Sequence, residues 1–223
     1  MEFQRVYNKG QATIFGNKYL EFFTRSHPLL ICGIYIPVII FMLYHSIEIT
    51  GIGLFYTALI FKAGMIFWTF FEYLVHRFAF HFIPESKRAM KLIYIIHGNH
   101  HEYPRDKTRL LMPAIPSIII ASSIFGVMYF LASLVGVREF SFGFFSGFIF
   151  GYLLYGSMHY AIHAFNPPYK WMKPLWRNHH LHHYKDDRYG FGVSTTFWDR
   201  LFGTMPKSET EKLTTAKIRK MRF

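Results

Sequence analysis

Histidine is concentrated in four short stretches of this 223-residue chain, and its spacing there suits metal binding. Neutral imidazole is a good ligand for iron, zinc and copper. The single cysteine, Cys32, lies in an apolar run, which excludes an iron–sulfur cluster or a zinc finger with thiolate ligands. The four stretches are HRFAFH (His76, His81), HGNHH (His97, His100, His101), HYAIH (His159, His163) and HHLHH (His179, His180, His182, His183).

The spacing within each stretch indicates how its side chains are presented. Positions i, i+3 and i+4 of a helix share a face, so HGNHH is predicted to direct His97, His100 and His101 to one point. HHLHH contains the same HxxHH spacing once its second histidine is left out, and HYAIH is an i, i+4 pair. The two histidines of HRFAFH are five residues apart, which predicts a distorted helix end.

Ten imidazoles remain when His180, which breaks the repeated HxxHH pattern, is set aside. One ion cannot use ten ligands, whereas two ions with four or five nitrogens each can, so a two-metal site is predicted. His180 is expected to bond to a ligating histidine or to face solvent, and His27 and His45 to be polar anchors at a membrane interface. The predicted ligands are His76, His81, His97, His100, His101, His159, His163, His179, His182 and His183.

Four apolar stretches surround these groups, and each is long enough to cross a hydrocarbon layer of about 30 Å. They span residues 28–46, 52–75, 113–135 and 140–164. The composition agrees, because 52% of the residues are hydrophobic and 20% are aromatic, which suits a lipid-facing surface. The first stretch starts too late for a cleavable signal peptide, and Lys62 in the second must snorkel or face the bundle interior. The sequence therefore predicts an all-α integral membrane protein with four transmembrane helices.

The distribution of lysine and arginine predicts the orientation of these helices. The two short outer loops hold Arg138 alone, whereas 23 basic residues lie on the other side. The positive-inside rule then places both termini and the long middle segment in the cytoplasm. All four histidine groups fall on that same side. The net charge of +12 is accounted for by topology, so no nucleic-acid partner is expected.

The order HxxxxH, HxxHH, HxxxH, HxxHH, interleaved with two membrane hairpins, resembles the fatty acid hydroxylase superfamily, and within it the fatty acid 2-hydroxylases. The resemblance covers roughly residues 60–205, which leaves 1–27 as a cytoplasmic or interfacial segment, 28–205 as the hydroxylase domain and 206–223 as a basic tail. It is carried by FEYLVHRFAFH (71–81), IHGNHHEYPRDKTRLLMP (96–113), GYLLYGSMHYAIH (151–163) and HHYKDDRYGFGVSTTFWDRLFGT (182–204).

The resemblance implies a four-span bundle with a cytoplasmic helical cap that encloses a two-metal centre held by the ten histidines. It implies two iron ions, which zinc can replace in purified protein, and O2 as co-substrate. The reaction would insert one oxygen atom into an acyl C–H bond, at C2 of fatty acids or of sphingolipid and ceramide acyl chains. Alternatives within the superfamily are sterol or carotenoid hydroxylases or desaturases and alkylglycerol ether monooxygenases, and a non-enzymatic metal transporter is the alternative of another class.

Two departures from the family pattern bear on partners and substrate. The chain shows no haem-binding His-Pro-Gly-Gly of a cytochrome b5 domain, so the resemblance implies a separate electron donor of cytochrome b5 or ferredoxin type. Gly156 stands where relatives often carry an acidic residue, which puts the choice of substrate in doubt. Tyr152 and Tyr155, two turns and one turn before His159, are expected to line the acyl channel, to bond to a ligating histidine, or to belong to an interfacial aromatic belt.

Small and charged residues near the histidines have structural interpretations as well. The glycines at 143, 147 and 151 recur every four residues, which predicts close approach of a neighbouring helix. The acidic residues that follow the second and fourth groups are expected either to accept the free N–H of a ligating histidine or to pair with Arg105 and Lys185. They are Glu102, Asp106, Asp186 and Asp187. The basic run 217–222 is expected to contact anionic headgroups.

Overall fold

Helices make up all the regular secondary structure of the computed structural model, which describes residues 6–206. Nine α-helices are joined by turns and by short π-helical segments. In chain order they are α1 (Lys18–Phe22), α2 (Pro28–Tyr44), α3 (Leu54–Leu74), α4 (Lys87–Ile93), α5 (Asn99–Glu102), α6 (Ala114–Leu134), α7 (Phe140–Ala164), α8 (Lys173–Tyr184) and α9 (Phe197–Leu201).

Four helical segments are long and apolar enough to cross a membrane, and they confirm the four predicted spans. The segments are Pro28–Ile49, Leu54–Phe80, Ala114–Leu134 and Phe140–Ala164. The second runs five residues beyond the predicted end at residue 75 because α3 continues directly into a π-helical segment, Val75–Phe80. Lys62 is exposed on α3 rather than turned into the bundle, which fits the snorkelling interpretation.

Helix α7 forms the centre of the bundle, and glycine allows α3 to reach its backbone. A Cβ atom on Gly147 would lie 1.9 Å from the carbonyl oxygen of Phe61, and one on Gly64 would lie 1.9 Å from that of Phe144. No side chain fits in either place, so the two backbones are in contact. Gly151 packs in the same way against the Trp68 side chain. The predicted packing role of the glycine row is confirmed.

Shorter elements form a cap at one end of the bundle, where α3 and α7 both end. Helices α4 and α5 follow α3, and helices α8 and α9 follow α7. The segment before α2 packs on this cap: the Ser26 amide donates to the Thr108 carbonyl at 2.8 Å, and the Tyr7 amide donates to the Glu102 carbonyl at 2.7 Å. The predicted helical cap is therefore present.

Two of the π-helical segments contain histidines of the predicted site. Val75–Phe80 carries His76, and Tyr94–Gly98 carries His97. The amide of His81 donates to the carbonyl of His76 at 3.3 Å, which is the i to i+5 hydrogen bond of a π-helix. This wider turn brings two residues that are five apart onto one side of the helix. It confirms the distorted helix end predicted from HRFAFH.

Candidate metal centre

The ten histidines of the two-metal prediction lie together where the bundle meets the cap, in two groups of five. Within each group the residues offer ring nitrogens that all lie within 4.8 Å of one another. Centre 1 consists of His76, His81, His97, His101 and His182, and centre 2 consists of His100, His159, His163, His179 and His183. His27, His45 and His180 belong to neither centre.

The two centres are built alike, and each includes one histidine from the cap helix that supplies a pair to the other centre. Each takes a pair from the end of a membrane helix, an i, i+4 pair from one cap helix, and the i+3 histidine of the other cap helix. The expectation that His97, His100 and His101 converge on one point is therefore wrong, because His100 belongs to the other centre. Positions i+3 and i+4 diverge by about 100° round a helix. That divergence separates His182 from His183 as well.

Hydrogen bonds to backbone carbonyls orient three of the rings. Nδ1 of His76 donates to the Phe191 carbonyl at 2.5 Å, and Nδ1 of His182 donates to the Tyr189 carbonyl at 2.8 Å. In centre 2, Nδ1 of His159 lies 2.9 Å from the carbonyl oxygen of Leu110. A carbonyl only accepts, so each Nδ1 carries the proton and each Nε2 keeps its lone pair for the centre.

The spacing of the Nε2 atoms fits ligands that share an ion. In centre 1, Nε2 of His97 lies 3.2 Å from that of His76 and 3.0 Å from that of His101. In centre 2, Nε2 of His179 lies 2.9 Å from that of His163 and 3.1 Å from that of His183. Two nitrogens bound at right angles, each about 2.1 Å from an ion, would be about 3 Å apart.

Several ring nitrogens are buried without a hydrogen-bond partner within residues 6–206. They include Nε2 of His81, Nε2 of His182 and both nitrogens of His100. A buried polar atom left in this way is costly unless something else satisfies it. A cation that accepts their lone pairs would do so, and nitrogen donors suit iron or zinc. The residues therefore fit a metal ion at each centre.

Burial also sets the charge state of the cap histidines. It lowers the pKa of the His179 ring well below its ordinary value, and repulsion from neighbouring histidines lowers it further. The same two causes lower the pKa values of the other five histidines of the cap. These rings are neutral at physiological pH, which is the state that binds a metal ion. The other five are His97, His100, His101, His182 and His183.

Two buried acids, which sequence reasoning missed, hold the 189–194 loop against centre 1. Glu72 accepts from the amides of Val193 at 2.7 Å and Ser194 at 2.9 Å, and from the Ser194 hydroxyl. Asp199 accepts from the amides of Phe191 at 2.9 Å and Gly192 at 2.8 Å. The available signal was an acidic residue inside an apolar span, one turn before His76.

Gly192 makes the contact between this loop and Asp199 possible. A Cβ atom on Gly192 would lie 2.1 Å from the Thr195 carbonyl oxygen and 2.8 Å from a carboxylate oxygen of Asp199. The first contact is with backbone and the second is with a fully buried side chain, so neither is relieved by a small shift. The second glycine of the GFGVS motif is thus required for the close approach of this loop to its carboxylate.

The four acids singled out from the sequence have mostly other partners than expected. Glu102 accepts from the Tyr94 hydroxyl at 2.6 Å, and Asp106 binds Arg109, three residues on, rather than Arg105. Asp186 bonds to Arg188. The Asp187 carboxylate lies 3.7 Å from Nδ1 of His81, a histidine of centre 1.

The remaining predicted residues lie beside the centres or away from them. The Tyr155 ring stacks on His159 with 5.7 Å between ring centroids and 8° between planes. The Tyr152 ring, one turn earlier on α7, has its centroid 6.5 Å from that of Tyr155. His180 is buried, so the solvent-facing interpretation is wrong, and its ring lies 6.3 Å from that of His163. The basic run 217–222 lies outside the described residues.

The two lone histidines have local roles at opposite ends of α2. Nδ1 of His27 accepts from the Leu29 amide at 3.2 Å and caps the start of α2. His45 stacks on Phe142, with 3.9 Å between ring centroids. Both positions agree with the expected role of polar anchors at the ends of a span.

Fold and site together define a multi-pass membrane protein with paired five-histidine centres at one end of its helical bundle. The sequence model of the fatty acid hydroxylase family matches residues 61–204. The chain belongs to the fatty acid hydroxylase family.

Several characterised proteins are similar to this chain over most of its length. Ceramide very long chain fatty acid hydroxylase SCS7 of Saccharomyces cerevisiae is 35% identical over 90% of the chain, and dihydroceramide fatty acyl 2-hydroxylase FAH2 of Arabidopsis thaliana is 32% identical over 86%. The chain spans 51% of the yeast relative and 79% of the plant relative. The solved structure of full-length Scs7p, in which only the hydroxylase domain is visible, matches with a TM-score of 0.79 and 33% identity, covering 89% of this chain and 74% of that one.

Proposed function

We propose that the protein is an oxygen-dependent lipid hydroxylase that acts at C2 of fatty acyl chains, either in free fatty acids or in sphingolipids and ceramides. The observation that carries the proposal is the pair of five-histidine centres at the end of an apolar bundle. The related proteins named above support it, because they are hydroxylases of ceramide and dihydroceramide acyl chains. Two iron ions held by the ten histidines, O2 and an external electron donor complete the proposal.

The reaction explains why such a site is needed. An alkyl C–H bond offers no useful proton to an acid or base, and no side-chain nucleophile can attack it. The two bound metals, together with O2 and electrons, would supply the oxidising chemistry that the side chains lack. The chain's own part is to hold ten imidazoles in fixed orientations and to keep water from the centres. The near-complete burial of His179 and His182 serves both purposes.

We place the acyl chain along α7, on the side that leads to centre 2. Tyr152 and Tyr155 form an aromatic row that ends on His159, so a chain lying against them would reach the centre from the membrane interior. The Tyr152 hydroxyl is 3.4 Å from that of Ser117, which itself lies 2.7 Å from that of Tyr35. These hydroxyls satisfy one another and leave an apolar ring surface for the lipid.

The proposal includes an orientation and a domain boundary. The charge asymmetry of the loops favours a cytoplasmic cap and cytoplasmic termini. Residues 28–205 would form the hydroxylase domain, which would receive electrons from a separate donor of cytochrome b5 or ferredoxin type. A metal transporter would instead place its ligands along a path within the membrane. Here both groups lie where the bundle meets the cap.

The test is expression of the full chain in a host that makes no 2-hydroxylated lipids, under labelled O2, followed by mass spectrometry of total lipid. We expect label in a hydroxyl at C2 of fatty acids, and none with His182→Ala at equal protein level. Labelled sterol or carotenoid in place of 2-hydroxy acid would favour the other branches of the superfamily. Metal uptake into liposomes without O2 consumption would contradict the enzymatic proposal.

A further inference from the structure

The backbone of the 189–194 loop is fixed by an unbroken series of hydrogen bonds. The amide of Gly190 donates to the Thr204 carbonyl at 2.8 Å. The next two amides donate to Asp199, and the two after those donate to Glu72. Five consecutive amides are thus satisfied by groups from outside the loop. Two of these groups are carboxylates in the protein interior, because Glu72 is 5% exposed and Asp199 is 0% exposed.

The carbonyls of the same loop face centre 1. Tyr189 accepts from His182 and Phe191 accepts from His76, so the loop sets the ring orientation of two of the five histidines in that centre. Glu72 and His76 are one turn apart on the segment that leaves the membrane. One helix therefore presents His76 and also Glu72, a carboxylate that holds the loop to which His76 donates.

Centre 2 is supported from a different part of the chain. The carbonyl of Leu110 accepts from His159, and the turn before it is held by Asp106. Asp106 accepts from the Thr108 amide at 3.1 Å and from the Arg109 guanidinium at 2.8 Å. Arg109 also pairs with Glu21 of the segment before α2. These contacts share no residue with those of the 189–194 loop.

We propose that Glu72 and Asp199 are positioning residues for centre 1 alone, and that Asp106 has the corresponding role for centre 2. The two metal sites would then be stabilised by separate carboxylate-held segments and would lose metal independently. The inference rests on the proposed function to the extent that it requires both centres to bind metal. It assigns roles to three acids that neither bind metal nor touch the lipid in the proposed reaction.

Zinc affinity of the purified full chain tests the proposal without reference to activity. We expect the wild-type chain to bind two zinc ions, and Glu72→Gln to weaken one of them by ~10- to 100-fold in a chelator competition, the usual range when the partner of a ligating histidine is disturbed. Asp199→Asn should weaken the same ion, and Asp106→Asn should weaken the other. Glu139→Gln is the matched control, because the Glu139 side chain is 42% exposed, pairs with Arg138 and lies at the far end of α7 from the cap.

Pairing these changes with the loss of a histidine identifies the centre involved. Glu72→Gln combined with His81→Ala should retain one tightly bound zinc ion, since both changes fall on centre 1. Glu72→Gln combined with His163→Ala should leave no zinc ion bound at wild-type affinity, because the two changes fall on different centres. The thermal midpoint of each variant serves as the check that the chain is folded, and Asp199→Asn gives a second reading if Glu72→Gln does not fold.

Two outcomes would overturn the inference in different ways. A folded Glu72→Gln chain that keeps both ions at wild-type affinity, or loses both equally, would remove the assignment to centre 1 and leave the proposed function standing. A wild-type chain that binds fewer than two zinc ions would overturn the two-metal function itself, and the inference with it.

Discussion

His100 and His101 are adjacent in the sequence, yet they belong to different five-histidine centres. Their ring centroids are 6.1 Å apart, and the ring of His101 stacks at 4.1 Å on His183, a histidine of the opposite centre. The two centres are therefore in direct contact through their histidines. Any change to one of the HxxHH helices reaches both centres, although each single side chain serves one of them.

The first prediction is that protein produced with added iron contains two metal ions per chain. The physical reason is that ten histidines, eight of them buried, form two sets of five whose nitrogen donors need a partner that a metal ion would provide. Elemental analysis of purified protein against a quantified protein concentration measures the ratio. Zinc in place of iron would still count, whereas a ratio of one or none in a well-folded preparation would contradict the two-metal assignment.

The second prediction separates His180 from His182 on the same helix. His182→Ala should abolish formation of 2-hydroxy fatty acid, because it removes a ring from the interior of centre 1. His180→Ala should remain measurably active, with a loss of ~100-fold at most, the upper range for a residue next to ligating histidines. Both are assayed in total lipid at matched protein level.

The assignment behind that comparison fails under two results. Equal and complete inactivity of the two variants would mean that His180 is as necessary as a metal ligand. Survival of His179→Ala alongside an inactive His180→Ala would mean that the fourth stretch holds its metal through HLHH rather than HxxHH.

The third prediction concerns the contact between α3 and α7. Gly147→Ala places a methyl group 1.9 Å from the Phe61 carbonyl oxygen, so the helices must separate. Overpacking of this kind costs ~1–3 kcal/mol or more, and the thermal midpoint in detergent should fall. Gly126→Ala on α6 is the matched control, because a Cβ atom there meets nothing within 4 Å. Equal midpoints for the two variants would argue against close contact of the backbones.

The fourth prediction is that removal of residues 212–223 leaves hydroxylation largely intact. None of the ten histidines lies in that segment, and the family match ends at residue 204. The measurement is 2-hydroxy fatty acid content after expression of the shortened chain. Complete loss of product at normal expression would show that the tail has a role in catalysis or in lipid binding.

Features of the fold and site that depend on residues close together in the sequence could be predicted. The four spans follow from runs of apolar residues, and the π-helical end of α3 follows from the five-residue spacing of His76 and His81. The set of ten histidines follows from repeated helical spacing together with a charge pattern that places every group on one side. The helical and apolar signals lie within about one turn or one span, and the charge pattern needs only a count of Lys and Arg in each loop.

Features that depend on distant contacts could not be predicted. The division of His100 from its two neighbours is set by how the α5 and α8 helices face each other, which spacing alone does not reveal. Glu72 finds its partners at Val193 and Ser194, 121 and 122 residues further along the chain. An isolated acid in an apolar span signals a buried partner but does not identify it.

Each centre takes one of its histidines from the other half of the chain, and this has a consequence for biosynthesis. Four histidines of centre 1 lie at or before residue 101, ahead of the third and fourth spans, but the fifth is His182 on α8. Centre 2 takes one histidine, His100, from the first half of the chain. Neither site is complete until the ribosome has passed α8 and the last hairpin has entered the bilayer. A complete set of five histidines is thereby available at either centre only at a late step of membrane assembly.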